Sequence, residues 1–213
     1  MVYRLDAGTV IDAEGNLVIE NLYSGSVSQK TQAQGTVSGY NSGSGSPTLY
    51  SNVIEKFPFS SDANATDVGD LTLSRNRLSG ASSTSHGYSA GGVGSPYATF
   101  YNNIDKFSFS VDGNATDVGD LTETRYENAG QTSTVSGYSS GGQPGTTIID
   151  KFPFSVDANA TDVGDLTQGR RTISGQSSGT HGYSSGGYPA DNIIDKFPFS
   201  VDANATDVGD LTQ

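Results

Sequence analysis

Apolar and polar positions recur along this chain every 45 to 50 residues. The recurring phrase is clearest as Ile148-Ile149-Asp150-Lys151-Phe152-Pro153-Phe154-Ser155-Val156-Asp157-Ala158-Asn159-Ala160-Thr161-Asp162-Val163-Gly164-Asp165-Leu166-Thr167, and its four copies begin at Val53, Asn103, Ile148 and Ile193. Alternation in its first part sets Asp150, Phe152 and Phe154 on one face and Ile149 and Lys151 on the other, which predicts a strand over 149–154. Pro153 donates no ladder bond and predicts that this strand is an edge or carries a bulge. A second strand is expected through Thr161–Leu166. Ahead of them, Ser136–Ser140 reads as a strand stopped by Gly141-Gly142, and a further extended segment leads from Arg125 through Gly130. Helical periodicity is absent, so the pattern predicts an all-β chain of tandem four-stranded repeats.

The phrase fixes the organisation. A tyrosine ahead of it recurs as Tyr40, Tyr88, Tyr138 and Tyr183, and the aspartate opening Asp-Val-Gly-Asp-Leu recurs at 67, 117, 162 and 207. Repeats are therefore expected at 27–72, 73–122, 123–167 and 168–213, with length differences absorbed in linkers such as Gly92–Pro96. A single repeat has too few apolar side chains to offset the entropy of ordering its backbone, so neighbours must supply the rest of the core. Residues 1–26 stand apart. There Thr9–Ile19 reads as two short strands around a Glu14-Gly15-Asn16 turn. A lone hairpin is marginal in water, so the segment is expected to dock on the repeat body or on a partner.

Composition changes this picture little. A hydrophobic content of 33% with 28 glycines would suggest disorder in a non-repetitive chain, but the fixed places of the apolar residues argue for packing. The chain has no cysteine, which excludes disulfides and thiolate chemistry. Its net charge is −12, and twelve of the 23 acidic residues are the phrase aspartates at 62, 67 and 70 and their counterparts in the other copies. Such a chain, without a basic cluster, is not expected to bind nucleic acid. No apolar run reaches the length of a membrane span, and Met1–Asp6 has no apolar run of the kind that marks a secretory signal.

Several motifs invite a chemical reading. Gly87-Tyr88-Ser89-Ala90-Gly91, Gly137–Gly141 and Gly182–Gly186 fit Gly-x-Ser-x-Gly, which in hydrolases is a strand-to-helix elbow. No helix is expected here, and the histidines, His86 and His181, occur in two repeats only, so the motif reads as a strand with its turn. Asp157, Asn159, Thr161 and Asp162 resemble the start of a calcium loop but lack its sixth-position glycine and late glutamate; an Asx turn accounts for them equally. The Asn-Ala-Thr triplets at 64, 114, 159 and 204 are formal glycosylation acceptors and read as turns. Asp150 and Lys151, with Arg125 or Arg170, are candidates for ion pairs between repeats, worth roughly 0–1 kcal/mol each if exposed. Tyr97, Tyr101, Tyr126 and Tyr188 serve equally as a binding surface or as packing between repeats. No catalytic, cofactor-binding or metal-binding residue is assigned.

Gly186-Gly187 followed by Ile193-Ile194-Asp195-Lys196-Phe197 resembles the glycine doublet and apolar-acidic-x-aromatic strand of the kelch repeat. Leu166-Thr167-Gln168-Gly169-Arg170, repeated at Leu71–Arg75 and Leu121–Arg125, is similar to the leucine-then-arginine segment that opens a kelch unit. The resemblance covers about 27–213 and implies a β-propeller of about four blades. The tryptophan of kelch units is absent, so Val163 and Leu166 are candidates for part of its packing. Since the fourth copy stops at Gln213, a closed ring, a shortened chain and a combination of chains all remain open, as does an oligomeric fibre of stacked repeats. The wording of the phrase, with Ser178-Gly179-Thr180-His181-Gly182-Tyr183-Ser184-Ser185-Gly186-Gly187, also resembles repeats of marine bacteriophage virion structural and tail-fibre-like proteins. That resemblance implies a non-enzymatic virion component, anchored to other virion proteins through residues 1–26, oligomeric or part of a larger assembly, and contacting a host-surface receptor or glycan. Its alternative is a soluble propeller adaptor that binds a protein partner through its loops.

Overall fold

Each phrase becomes two neighbouring strands of an antiparallel sheet. In the computed structural model the described residues are 37–43, 50–95, 99–189 and 192–212, with the backbone of 3–5, 9–11 and 17–18. Strands β1 (Tyr3–Leu5), β2 (Thr9–Ile11) and β3 (Leu17–Val18) pair in that order. The hairpin expected over Thr9–Ile19 is thus present as β2 and β3, with β1 added along its edge. The first sheet has β4 (Ser38–Ser42), β5 (Ser51–Pro58) and β6 (Thr66–Arg75). The second has β7 (Ser79–Ser82), β8 (His86–Ala90), β11 (Asn103–Ser108) and β12 (Thr116–Asp120), with a small hairpin of β9 (Val93–Gly94) and β10 (Thr99–Phe100) in its linker. The third is β13 (Ala129–Thr132), β14 (Ser136–Ser140), β15 (Ile148–Pro153) and β16 (Thr161–Asp165), and the fourth is β17 (Ser174–Ser177), β18 (His181–Ser185), β19 (Ile193–Pro198) and β20 (Thr206–Asp210). The chain is all-β: the described residues contain no helix, and the last three sheets are four-stranded antiparallel meanders.

Two details differ from the sequence reading. The first strand of the third sheet is Ala129–Thr132 rather than a segment from Arg125 through Gly130. The residues before it leave the ladder because the Arg125 side chain turns inward to backbone carbonyls. Pro153 does not mark an edge: β15 is central, between β14 and β16. Pairing to β16 ends at Lys151↔Thr161, whereas Pro153 still faces Ser136 of β14. The proline therefore sits where its missing donor is no longer needed. The ladder does carry an irregularity, but between Ile148 and Asp150.

The core lies between sheets. Each sheet has a rear face toward the preceding sheet and a forward face toward the next. Between the second and third sheets, Ala81, Tyr88, Ala90, Ile104 and Leu121 meet Phe152 and Ala160. Between the third and fourth, Ala129, Tyr138, Ile149 and Leu166 meet Phe197 and Ala205. The expected alternation is what divides these sets. Phe152 and Phe154 point back, and Ile149 points forward. Leu166 is buried and Val163 half-buried in the latter seam, beside a tyrosine that stacks on the phenylalanine pair. The Tyr88 ring lies 5.6 Å from Phe152 and 4.9 Å from Phe154, and Tyr138 repeats this at 5.6 and 4.8 Å with Phe197 and Phe199.

The sheets approach closely at their first strands. A Cβ on Gly130 would lie 2.0 Å from the Gly80 carbonyl oxygen, and one on Gly175 would lie 2.2 Å from that of Gly130. Only glycine allows that approach. At the far edge, the loop before the last strand reaches back: Ala160 N–H donates to the Asp120 carbonyl (2.8 Å), and Asp120 N–H donates to Asn159 Oδ1 (3.1 Å).

Candidate functional site

The phrase aspartates lie at the seams. Asp150 is completely buried, and its carboxylate receives Thr122 N–H (2.9 Å), the Thr122 hydroxyl (2.8 Å) and Arg125 Nη2 (2.6 Å). Arg125 Nη2 also donates to the Ser139 carbonyl (3.1 Å). The same clasp joins Thr72 and Arg75 to Asp105, and Thr167 and Arg170 to Asp195, with both side chains of each ion pair fully buried. Burial pulls the Arg75 and Arg125 guanidiniums below their ordinary range, while Asp105 and Asp150 oppose that shift. Of the two arginines considered, Asp150 pairs with Arg125, but within one repeat and buried, not between repeats and exposed as expected; Arg170 pairs with Asp195. Lys151 pairs forward with Asp202 (2.8 Å) near the surface, as Lys56 does with Asp112 and Lys106 with Asp157.

This geometry absorbs the motifs that suggested chemistry. Ser89, Ser139 and Ser184 sit in mid-strand, buried, rather than at an elbow. The Ser89 hydroxyl meets that of Ser42 (2.7 Å), and the Ser139 hydroxyl accepts from Asn128 (2.6 Å). His86 and His181 bond through Nδ1 to the preceding Ser85 and Thr180 (2.8 Å each). Desolvation and Lys106 hold His86 below its ordinary pKa. In the calcium-like stretch, Asp157 accepts from Lys106 and Asn159 from Asp120, both in the preceding sheet, whereas Asp162 accepts from Gly164 N–H (3.1 Å) in an Asx turn. These oxygens do not converge. Among the described residues no group of three His, Cys, Asp or Glu side chains is arranged to hold a metal ion. Asn114, Asn159 and Asn204 serve the seams in the same manner, accepting from Asp70, Asp120 and Asp165.

A second surface lies where the segments entering each sheet meet the Gly-Gly turns, at one end of the strands. Arg77, Glu127 and Thr172 occupy equivalent places with φ of 56°, 58° and 56°, a left-handed conformation uncommon for residues with a side chain. Their backbones form a ladder across the sheets: Glu127 N–H donates to the Arg77 carbonyl (2.8 Å), and Thr172 N–H to the Glu127 carbonyl (2.9 Å). The Glu127 carboxylate accepts from Arg77 and from the Thr172 hydroxyl, with Arg171 at 4.0 Å. Aromatic rings flank the row. Tyr126 lies 5.0 Å from Phe100, and the Arg171 guanidinium lies 4.9 Å from the ring of Tyr188, which is 60% exposed. Tyr188, Pro189, Gln143, Pro144 and Arg171 line a shallow cleft here. Of the four tyrosines singled out in the sequence, Tyr126 and Tyr188 come to this end, Tyr101 packs over Gly94, and Tyr97 lies outside the described residues. The Arg77–Glu127–Arg171 row was not singled out from sequence. Its signal is positional: Arg77, Glu127 and Thr172 each stand two residues after a seam arginine.

No protein-family model matches the chain, and no curated protein sequence matches it. Among the described residues no helix is long and apolar enough to cross a membrane.

Proposed function

We propose that this chain is a non-enzymatic structural component of a phage particle, in a tail or appendage. Kelch-like sheets form its body, residues 1–26 anchor it to other virion proteins, and the loop end bearing Arg77, Glu127, Arg171 and Tyr188 contacts the host surface. One observation carries the reading. In every described seam a lysine bonds to an aspartate of the next repeat, and an asparagine of that repeat accepts from an aspartate backbone N–H. The chemistry that repetition multiplies is therefore structural, as in a rigid modular projection. The wording of the repeats supports a virion setting by resemblance. Aromatic rings with a guanidinium beside them suit contact with a receptor or glycan.

The glycine contact between first strands supports propeller-like blades, which crowd at their inner edge. Stacking along a fibre axis accounts for the exposed faces at both ends of the array. A soluble adaptor would use the same loop end on a protein partner.

Electron microscopy and mass determination on the source material test the proposal. We expect the chain at a tail or capsid-surface position in particles. A free chain of 22.1 kDa that never accompanies particles would overturn the reading and favour the adaptor.

A further inference from the structure

The three described seams share one set of contacts, and both halves of that set recur, exposed, at opposite ends of the array. On the forward side a seam uses a tyrosine, a lysine, a valine, the backbone of an aspartate and a leucine. In the third sheet these are Tyr138, Lys151, Val163, Asp165 and Leu166. In the fourth they are Tyr183, Lys196, Val208, Asp210 and Leu211. Leu166 is 3% exposed and Leu211 43%. Val208 is 48% exposed where Val163 is half-buried, and Ile194 is half-buried where Ile104 and Ile149 are fully buried.

On the rear side a seam uses two phenylalanines, an aspartate, an asparagine and an alanine. In the first sheet these are Phe57, Phe59, Asp62, Asn64 and Ala65. Phe57 and Phe59 are 39% and 49% exposed, against 7%, 2% and 1% for Phe107, Phe152 and Phe197. Ala65 is exposed, whereas Ala115, Ala160 and Ala205 are buried.

Both faces already hold the geometry of a formed seam. The Phe57 and Phe59 rings meet edge-on at 5.8 Å, as the seated pairs do at 6.1, 6.1 and 5.9 Å. On the forward side the telling residue is Gly209. Its counterparts Gly69, Gly119 and Gly164 have φ of 155°, 152° and 152°, and a Cβ on any of them would lie 2.2 to 2.5 Å from the carbonyl oxygen of a loop in the next sheet. Gly209 keeps a φ of 148° with open space before it. Charge agrees as well: Lys196 stands where Lys56, Lys106 and Lys151 reach Asp112, Asp157 and Asp202, and Asp62 is the counterpart of those aspartates.

We propose that the forward face of the fourth sheet binds the rear face of the first sheet of a second copy of this chain, head to tail. Tyr183 then stacks on Phe57 and Phe59, Lys196 meets Asp62, and the Asp210 backbone bonds to Asn64 and Ala65. Two features depart from the internal seams: the first sheet has three described strands, so the contact between first strands has no described counterpart there, and one clasp position is changed. Glu55 replaces the clasp aspartate, is exposed, and accepts from Asn41 (3.3 Å); in the joint it takes Thr212. Because the two surfaces differ, the contact is heterologous, and it propagates into an open array unless its rotation closes a ring. The inference rests on the seams alone and stands or falls independently of the virion reading.

Sedimentation of the whole chain across a wide concentration range tests it, with two variants at exposed positions, Val208→Asp on the forward face and Phe59→Asp on the rear face. Circular dichroism checks that both fold. Wild type is expected to grow from one chain to multiples as concentration rises. Each variant alone stays at one chain, and an equal mixture of the two reaches two chains and stops, since each supplies the face the other lacks. A wild-type chain that stays at one copy overturns the proposal, as does association that survives in either variant alone. A mixture that never exceeds one chain overturns it too.

Discussion

At the scale of single residues, Asp150 accepts three hydrogen bonds from the segment entering its own sheet, and neither its carboxylate nor the Arg125 guanidinium is exposed to water. Breaking one side of such a pair leaves a buried charge alone, at a cost of about 3–5 kcal/mol. Arg125→Met and Asp150→Asn are each expected to lose stability on that order in urea denaturation. The joint replacement Arg125→Met with Asp150→Leu is expected to lie closer to wild type than either single change. Glycines give a second contrast. A Cβ added at Gly113 would meet nothing within 4 Å, the backbone there is not left-handed, and the other copies carry alanine at that position. Gly113→Ala should leave stability unchanged or raise it by about 0.4–1 kcal/mol. Gly130→Ala should lower it clearly, because backbone stands in the way. Thermal melts of the two variants separate these outcomes. Sequence named Asp150 and two candidate arginines, because Arg and Asp recur together, but not Thr122, which supplies two of the three bonds. The burial of the clasp was not legible either, since one repeat's sequence does not state how closely the next one lies.

At the scale of strands and seams, packing shifts individual groups. Burial raises the pKa of Tyr88 and Tyr138 above the ordinary value of about 10, so the folded chain holds those protons after the unfolded chain has released them. Lys56 and Lys151 are raised as well, chiefly by their bonds to Asp112 and Asp202. Groups raised on folding contribute stability that is complete below their unfolded pKa and is lost as pH rises through the folded one. Melting temperature is therefore expected to fall above about pH 10, and the double variant Tyr88→Phe with Tyr138→Phe to lose less of it. Melts followed by circular dichroism over neutral to alkaline pH check this, and an equal alkaline loss in the double variant would contradict it. Strand positions were readable from alternation, which also assigned Phe152 and Ile149 to opposite seams. Pro153 misled because a proline at the end of a central strand and one on an edge leave the same mark in sequence. The first strand was displaced because its sequence, Ala129-Gly130-Gln131-Thr132, is chosen for backbone proximity and not for an apolar face.

Over the whole molecule, stability should vary from sheet to sheet. The third sheet is covered on both faces and the fourth on one, so at low concentration amides around Tyr183 are expected to exchange faster than those around Tyr138. Hydrogen exchange resolved by mass spectrometry measures that ratio. The fourfold repeat was plain in the sequence. How one repeat sits against the next was not, because that is set by packing between repeats, which no single repeat's residue pattern encodes.

The clasp has a consequence for how such a chain changes length. Thr122 and Arg125 serve Asp150, and Thr167 and Arg170 serve Asp195. Excising 123–167 joins Thr122 to Gln168 and restores Thr-Gln-Gly-Arg ahead of Asp195, so the arginine and the aspartate of one clasp leave together. Duplicating the same stretch adds them together. Copy number can thus rise or fall in whole units without stranding a buried charge of the clasp, whereas a recombination that separates Arg125 from Asp150 leaves one behind.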